Sequence, residues 1–259
     1  QRMEPRVGEG ARCGAALLLL LVTNFELFYC LGFRVSHYAA WCGVVVLNAV
    51  AAAGFAVAGR RLSSFPWRFL ALLSLGTTLL MGPWLFGPGM EREFVIFANG
   101  RFVALVLAVA ATFAFGRLLV TAGEHTSDGE RKLGRFLQWL TALLMFLVLS
   151  AEAWLYSKQQ AADPQQARFA TQMALSVSWS VYAVAMLALG FRFRLRPLRL
   201  VALGLFAITV GKLVIVDLAA VEQEQVFRIL SFFVAGVLMI GGSFLYHRVE
   251  KLMEKQWEE

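Results

Sequence analysis

Eight long apolar stretches restrict the fold of this chain more than any other feature. Each reaches the roughly 20 residues that an α-helix needs to cross a hydrocarbon core. Each is apolar throughout rather than at alternate positions. Since only helices and closed barrels satisfy their backbone hydrogen bonds in lipid, the pattern predicts an all-α, polytopic membrane protein. The predicted transmembrane helices are Ala11–Gly32, Ala39–Gly59, Trp67–Phe86, Phe102–Val120, Arg135–Ser157, Phe169–Gly190, Leu200–Ala219 and Ile229–His247.

Composition and charge agree with a membrane protein. Hydrophobic residues make up 59% of the 259 residues and charged residues only 16%, which would give a soluble domain an insoluble surface. The formal net charge of +7 is not a nucleic-acid signal, because the basic residues lie in short loops between apolar stretches. There they favour contact with lipid headgroups. We therefore expect membrane lipids as partners, and protein subunits of a larger membrane assembly as a second class, but not nucleic acid.

The sequence contains no arrangement typical of catalysis or metal binding. His37, His125 and His247 fall in predicted turns, loops or helix ends, and no two of them have metal-ligand spacing. Cys30 and Cys42 flank one short turn, where we weigh a disulfide against simple packing of two small residues. Motifs such as HExxH, GxSxG and Walker A are also missing from the sequence. We predict no catalytic residue, no metal, no cofactor and no enzymatic activity.

The distribution of Lys and Arg predicts the orientation in the membrane. Seventeen of these residues fall on the side of the N-terminus and six on the opposite side, with Lys212 inside a span. Basic residues of short loops favour the cytoplasm. The asymmetry predicts a bacterial inner-membrane protein with both termini cytoplasmic, as an even number of spans requires.

The second half of the chain repeats the first. Matched positions follow each other in the same order at offsets of 126 to 131 residues. Because each unit has four helices, the two units are predicted to be parallel repeats related by an axis along the membrane normal. The matched segments are Leu21–Glu26 with Leu147–Glu152, Arg68–Leu72 with Arg199–Leu203, and the helix starts at Arg101 and Arg228.

This repeat predicts four parts of the chain. Residues 1–120 and 135–248 are the two four-helix units, residues 121–134 a cytoplasmic linker, and residues 249–259 a charged cytoplasmic tail.

Charged and polar side chains inside the predicted spans are the candidate functional residues. Charges in a span are energetically costly, and each is a functional-site hypothesis by default. They concentrate toward the outer half of the membrane, which predicts an outward-facing polar site between the repeats. The candidates are Glu26, Glu152, Lys212, Asp217, Arg228, Arg101, Gln172, Ser176 and Trp179.

Lys212 and Asp217 lie close in sequence but not on the same face of their helix. They are five residues apart, which is about 140° around a helix. We expect Lys212 to contact a carboxylate on another helix, either Glu152 or Glu26, and Asp217 to meet Arg228.

Several short segments form a recognisable set: Ser176–Trp179, Gly190, Arg196–Arg199, Lys212–Leu218, Arg228–Phe232, Gly242–Tyr246 and Asn99–Phe102, the last with the pattern Asn-x-Arg-Phe. Together they resemble a known family of bacterial membrane proteins. The likeness to domain-of-unknown-function family 2339 is closest over residues 169–248 and looser upstream. It implies a multi-pass envelope protein without an assigned reaction, in which Lys212, Asp217 and Arg228 matter. Members of that family are expected to be longer, so the resemblance implies a compact form or an accessory subunit.

Three functions remain open on the sequence alone. The first is non-enzymatic binding or movement of a small or amphiphilic cell-envelope ligand at the polar site. The second is a scaffold or accessory subunit in which the charges are structural ties, since polar contacts in lipid contribute roughly 1 kcal/mol each. The third is a membrane enzyme for lipid-linked envelope precursors, with Glu26 and Glu152 as an acid and base pair.

Overall fold

The protein is all-helical in the part of the chain that the structure covers. The computed structural model describes residues 4–34, 36–62, 64–86, 95–121, 127–160 and 164–212, with Gly236, Ile240 and Ser243 as single positions. Within these residues there are seven α-helices and no β-strand. The helices are α1 Glu4–Arg34, α2 His37–Arg61, α3 Phe65–Met81, α4 Gly100–Thr121, α5 Asp128–Gln160, α6 Pro164–Arg192 and α7 Arg196–Lys212, and α3 continues as a 3₁₀ turn at Gly82–Phe86.

Six of the helical segments are long and apolar enough to cross a membrane, among the residues described. The predicted multi-pass, all-α class is thereby confirmed. The seventh predicted span is described as far as Lys212, and the eighth lies outside the described residues except at three single positions. Eight spans therefore stay a prediction. The six segments are Gly8–Phe33, His37–Arg61, Phe65–Phe86, Gly100–Thr121, Asp128–Gln159 and Ala170–Arg192.

Side-chain caps fix where α2 and α5 begin. Ser36 accepts a hydrogen bond from the Ala39 amide at 3.1 Å, which caps α2. At the start of α5, the Glu130 carboxylate accepts from the Ser127 amide at 2.9 Å, and the Ser127 hydroxyl accepts from the Glu130 amide at 3.2 Å. This reciprocal capping box begins α5 at Asp128, seven residues before the predicted start and inside the predicted linker 121–134.

The described chain divides into two compact units, residues 1–148 and 149–259, and the division falls within α5. In the first unit, α2 packs against α1, α3 and α4. Its buried face is built largely of small residues, including Ala40, Ala49, Ala52 and Ala56. In the second unit, α6 packs against α7. Small side chains allow helix backbones to approach closely, which is how helices associate in lipid.

Two glycines allow α4 and α5 to cross closely in the first unit. Gly116 of α4 faces Gly134 of α5, and a Cβ atom added to Gly116 would lie 2.9 Å from the Gly134 carbonyl oxygen. A Cβ atom added to Gly134 would lie 2.8 Å from the Gly116 carbonyl oxygen. The backbones of α4 and α5 therefore touch at this point.

The α2–α3 and α6–α7 hairpins have the same local geometry at an offset of 131 residues. A Cβ atom added to Gly59 would lie 2.7 Å from Cγ of Arg68, and one added to Gly190 would lie 2.7 Å from Cγ of Arg199. The backbone bonds around the two turns also match. In the first hairpin the Leu62 amide donates to the Ala58 carbonyl, and the Ser64 amide donates to the Gly59 carbonyl. In the second hairpin the Phe193 amide donates to the Leu189 carbonyl, and the Leu195 amide donates to the Gly190 carbonyl. The two hairpins share this local geometry, and the repeat of the whole four-helix units stays a prediction.

Alanine at Gly59 or Gly190 is expected to destabilise the protein by about 1–3 kcal/mol, because the new methyl group overpacks the turn. The arginine backbone nitrogen lies only 3.0 Å and 3.2 Å from the two Cβ positions. Thermal unfolding of the detergent-solubilised variants measures the effect. Gly54→Ala and Gly204→Ala are matched controls, since a Cβ atom there meets nothing within 4 Å. Equal melting temperatures for all four variants would contradict the prediction.

Candidate functional site

The second unit brings four of the predicted site residues together. The Lys212 ammonium of α7 donates hydrogen bonds to the Ser176 hydroxyl at 2.7 Å and to the Gln172 carbonyl oxygen at 3.0 Å. It also lies 5.8 Å from the centre of the Trp179 ring. Because Gln172, Ser176 and Trp179 follow each other at helical spacing, α6 presents them on one face toward the end of α7. We call these four residues the lysine cluster.

The lysine cluster is anchored to the α5 segment of the same unit. The Trp179 indole nitrogen donates to the Ser150 hydroxyl at 3.0 Å, which fixes the orientation of the ring. Nearer the C-terminal end of α5, the Ser157 hydroxyl donates to the Thr171 hydroxyl of α6 at 2.9 Å. The ammonium therefore lies against a ring and a hydroxyl that are already held in place.

Glu152 is one of the most deeply buried residues, with 1% of its surface exposed. It lies two residues from Ser150, which is about 200° around α5. Glu152 therefore occupies a different face of α5 from the one that meets Trp179. The predicted contact between Lys212 and a carboxylate stays a prediction, and the partner residues Asp217 and Arg228 lie outside the described residues.

Arg101 is buried in the first unit, with 2% of its surface exposed. Its guanidinium carbon lies 5.2 Å from the centre of the Phe86 ring, a cation–π contact. Its backbone amide donates to the Tyr38 hydroxyl at 2.7 Å. A cation in the first turn of a helix opposes the helix dipole, so tertiary contacts rather than local preference explain arginine at this position.

The segment Asn99–Phe102 has a structural explanation. The Asn99 side chain accepts a hydrogen bond from the Phe102 amide at 2.8 Å and so caps α4. The Phe102 ring packs edge-on against Phe97 at 5.2 Å. Each named position of the Asn-x-Arg-Phe pattern therefore contributes to the start of α4, with Arg101 as its buried charge.

Glu26 lies in the first unit, on the exposed face of α1. The Cys30 thiol approaches its carboxylate at 3.9 Å, one turn further along the helix. Cys13, Cys30 and Cys42 are all free thiols, so the disulfide considered between Cys30 and Cys42 is not formed in this structure.

A second polar cluster, in the first unit, is missing from the sequence-based candidates. The Asn48 amide of α2 donates to the Asn24 side-chain oxygen of α1 at 2.6 Å and to the Val44 carbonyl at 2.8 Å. The Asn48 side-chain oxygen accepts from the Thr77 hydroxyl of α3 at 3.1 Å. The signal in the sequence was an asparagine in the middle of a span, but its partners could not be deduced from spacing.

Asn24, Asn48 and Thr77, which we call the asparagine cluster, line a groove of about 360 Å³ between α1 and α3. Since Asn24, Asn48 and Thr77 satisfy one another, the rest of the lining determines its chemistry. That lining is almost entirely hydrocarbon, with Leu17 and Leu73 among its walls. The groove is suited to an apolar group such as an acyl chain.

Within the described residues, no group of three His, Cys, Asp or Glu side chains could hold a metal ion. The lysine cluster itself brings together an ammonium, a hydroxyl, an amide carbonyl and an aromatic ring. This set binds anionic and amphiphilic groups by charge, hydrogen bonding and apolar contact.

Comparison with known proteins places the whole chain in one family. A family model described as "Predicted membrane protein (DUF2339)" matches residues 1–249. The likeness therefore extends beyond the C-terminal third, where the sequence motifs are closest. No curated protein and no solved structure matches the chain. Because the match covers residues 1–249 of the 259, the chain belongs to the DUF2339 family of predicted membrane proteins.

Proposed function

We propose that this protein binds or moves an amphiphilic ligand of the cell envelope within the membrane, without catalysing a reaction on it. The observation that carries the proposal is the lysine cluster, in which an ammonium lies against Ser176, the Gln172 carbonyl and the Trp179 ring. A charge in a span is retained where it serves a function.

The lysine cluster favours an anionic headgroup. An ammonium attracts phosphate or carboxylate groups, and charge-assisted hydrogen bonds are about twice as strong as neutral ones. Ser150 holds the indole of Trp179, so the ring can contact the apolar part of the same ligand next to its headgroup. Burial in hydrocarbon strengthens these electrostatic contacts by lowering the local dielectric constant.

The proposal includes the orientation expected from the sequence. With both termini in the cytoplasm of a bacterial inner membrane, α6 runs inward from the outer surface. Gln172 and Ser176 then lie in its outer half, so the lysine cluster lies at the depth of the outer leaflet and we propose that its ligand comes from that leaflet.

Native mass spectrometry tests the proposal with phosphatidylglycerol as the anionic probe and phosphatidylcholine as the comparison. Lys212→Met is expected to weaken phosphatidylglycerol binding by about tenfold or more, since a charge-assisted hydrogen bond contributes about 1.5–3 kcal/mol. Lys212→Arg is expected to retain most of the binding because it keeps the charge.

Lys158→Met is the matched control. Lys158 lies at an exposed position of α5 with its ammonium 4.0 Å from the centre of the Trp154 ring, so the variant removes the same charge and a similar ring contact outside the lysine cluster. Equal losses at Lys212 and Lys158 would indicate non-specific headgroup attraction and contradict the proposal. Unchanged binding in Lys212→Met would contradict it as well.

An accessory or scaffold role is the second candidate, and one observation favours it. The most apolar window of α1 has none of its residues buried, although this helix carries a charged residue. Charged side chains in a span rarely face lipid, so the exposed Glu26 of this helix favours a subunit that another chain covers. The two functions are not exclusive, because the lysine cluster and α1 lie in different units.

A further inference from the structure

The α2–α3 and α6–α7 hairpins share their local geometry but differ in how they treat one arginine. Arg68 and Arg199 occupy the same position, each with its Cγ atom packed against the glycine of its hairpin. In the first hairpin the Arg68 guanidinium forms an ion pair with Glu130 at 2.7 Å. In the second hairpin the Arg199 guanidinium lies 5.1 Å from the centre of the Phe191 ring. Within the described residues, the Arg199 side chain forms no hydrogen bond or ion pair.

The second unit has no carboxylate close to Arg199 among its described residues. Residues 164–216, which contain α6 and α7, include neither Asp nor Glu. Glu152 of α5 is the carboxylate that the described part of this unit does contain. The α5 residue two positions before it accepts a hydrogen bond from Trp179, which lies about 16 Å along α6 from Gly190. Glu152 therefore cannot reach the hairpin.

The α6–α7 hairpin combines positive charge with a position at the membrane surface. Arg192 ends α6 and Arg196 begins α7, and both are exposed. The exposed apolar side chains of Phe193 and Leu195 lie between them in the sequence. The apolar span of α6 ends at Arg192, so the hairpin lies where hydrocarbon gives way to lipid headgroups.

We infer that Arg199 binds the phosphate of an anionic phospholipid, which takes the role that Glu130 has beside Arg68. The planar guanidinium presents its N–H donors in a fork that matches phosphate oxygens. Contacts with Gly190 and the Phe191 ring hold the Arg199 side chain in place without using those donors. Because the hairpin ends a membrane span, a phosphate at this depth belongs to a lipid.

The Arg199 site is separate from the lysine cluster. Arg199 and Lys212 are thirteen residues apart on α7, which is about 20 Å along the helix axis. They therefore lie toward opposite surfaces of the membrane. In the orientation proposed above, the lipid at Arg199 comes from the cytoplasmic leaflet.

Native mass spectrometry with phosphatidylglycerol tests the inference. Arg199→Gln is expected to weaken the binding of one phosphatidylglycerol by about tenfold, the effect of losing one charge-assisted hydrogen bond. Arg68→Gln is the matched control at the same position of the other hairpin, and it should lose no lipid because Glu130 already neutralises Arg68. Phosphatidylcholine should bind more weakly than phosphatidylglycerol, since its own cation is repelled by the arginines of the hairpin.

Glu130→Gln gives a second measurement that leaves Arg199 intact. Glutamine preserves the capping box with Ser127 but removes the charge that neutralises Arg68. The variant is therefore expected to bind one additional phosphatidylglycerol.

Three results would overturn the inference. They are equal losses in Arg199→Gln and Arg68→Gln, wild-type binding in Arg199→Gln, and no additional lipid in Glu130→Gln. Unchanged binding in Lys212→Met contradicts the proposed function but not the Arg199 site, so the two fail separately.

Discussion

Alanine at Gly116 or Gly134 is expected to lower the free energy of unfolding. Overpacking costs about 1–3 kcal/mol, and we expect a loss in the upper part of that range. In each variant the new methyl group meets a backbone carbonyl oxygen at 2.9 Å or 2.8 Å, so α4 and α5 must separate. A backbone atom cannot rotate away as a flexible side chain can. Thermal unfolding in detergent, followed by tryptophan fluorescence, measures the loss.

The two glycines also predict a non-additive double variant. Once α4 and α5 have separated for one methyl group, the second costs less, so the double substitution should cost less than the sum of the single ones. Gly76→Ala is the control in the same unit, because a Cβ atom there meets nothing within 4 Å. A melting temperature for Gly116→Ala equal to that of Gly76→Ala would show that the crossing is looser than described.

Truncation of Arg101 is expected to be the most destabilising single change, at about 2–5 kcal/mol for Arg101→Ala. The variant leaves a cavity where a fully buried side chain lay and removes the contact with the Phe86 ring. Arg101→Met keeps most of the volume and should cost less. Arg101→Lys keeps the charge and should cost the least.

Arg117→Ala is the control for Arg101, since Arg117 lies on the same helix but is exposed. Exposed substitutions usually change stability by no more than about 0.5 kcal/mol. The same fluorescence measurement applies to the whole series. If Arg101→Ala and Arg117→Ala unfold at the same temperature, Arg101 does not stabilise the start of α4.

Helical periodicity and hydropathy were sufficient for much of the fold. They predicted membrane-spanning helices, and the described helices overlap the predicted spans. The start of α5 was missed although the signal was present, because the polar segment containing Ser127 and Glu130 was interpreted as a loop rather than as a capping box. A charged stretch before a span can be a loop or the first turns of the helix, and the capping hydrogen bonds show that here it is the helix.

The sequence predicted which site residues share a helix, but not which residues of different helices contact each other. Spacing alone placed Gln172, Ser176 and Trp179 together, since they belong to one helix. It could not show that Lys212 from α7 donates to that face, because contacts between helices depend on crossing geometry. For the same reason the Asn24–Asn48 pair went unrecognised. The close approach of α4 and α5 at Gly116 and Gly134 could not be predicted either, since small residues are common throughout apolar helices.

The length of α5 determines how much of this helix extends beyond the hydrocarbon core. Its 33 residues extend about 50 Å, whereas a hydrocarbon core is about 30 Å thick. Even at a tilt of about 40°, the helix is longer than the core by several ångströms. Its first turns are rich in charge, with Glu130 paired to Arg68 at 2.7 Å. Hydrocarbon does not readily cover such charges, so these turns extend beyond the core and the ion pair between Glu130 and Arg68 lies at headgroup level or in water.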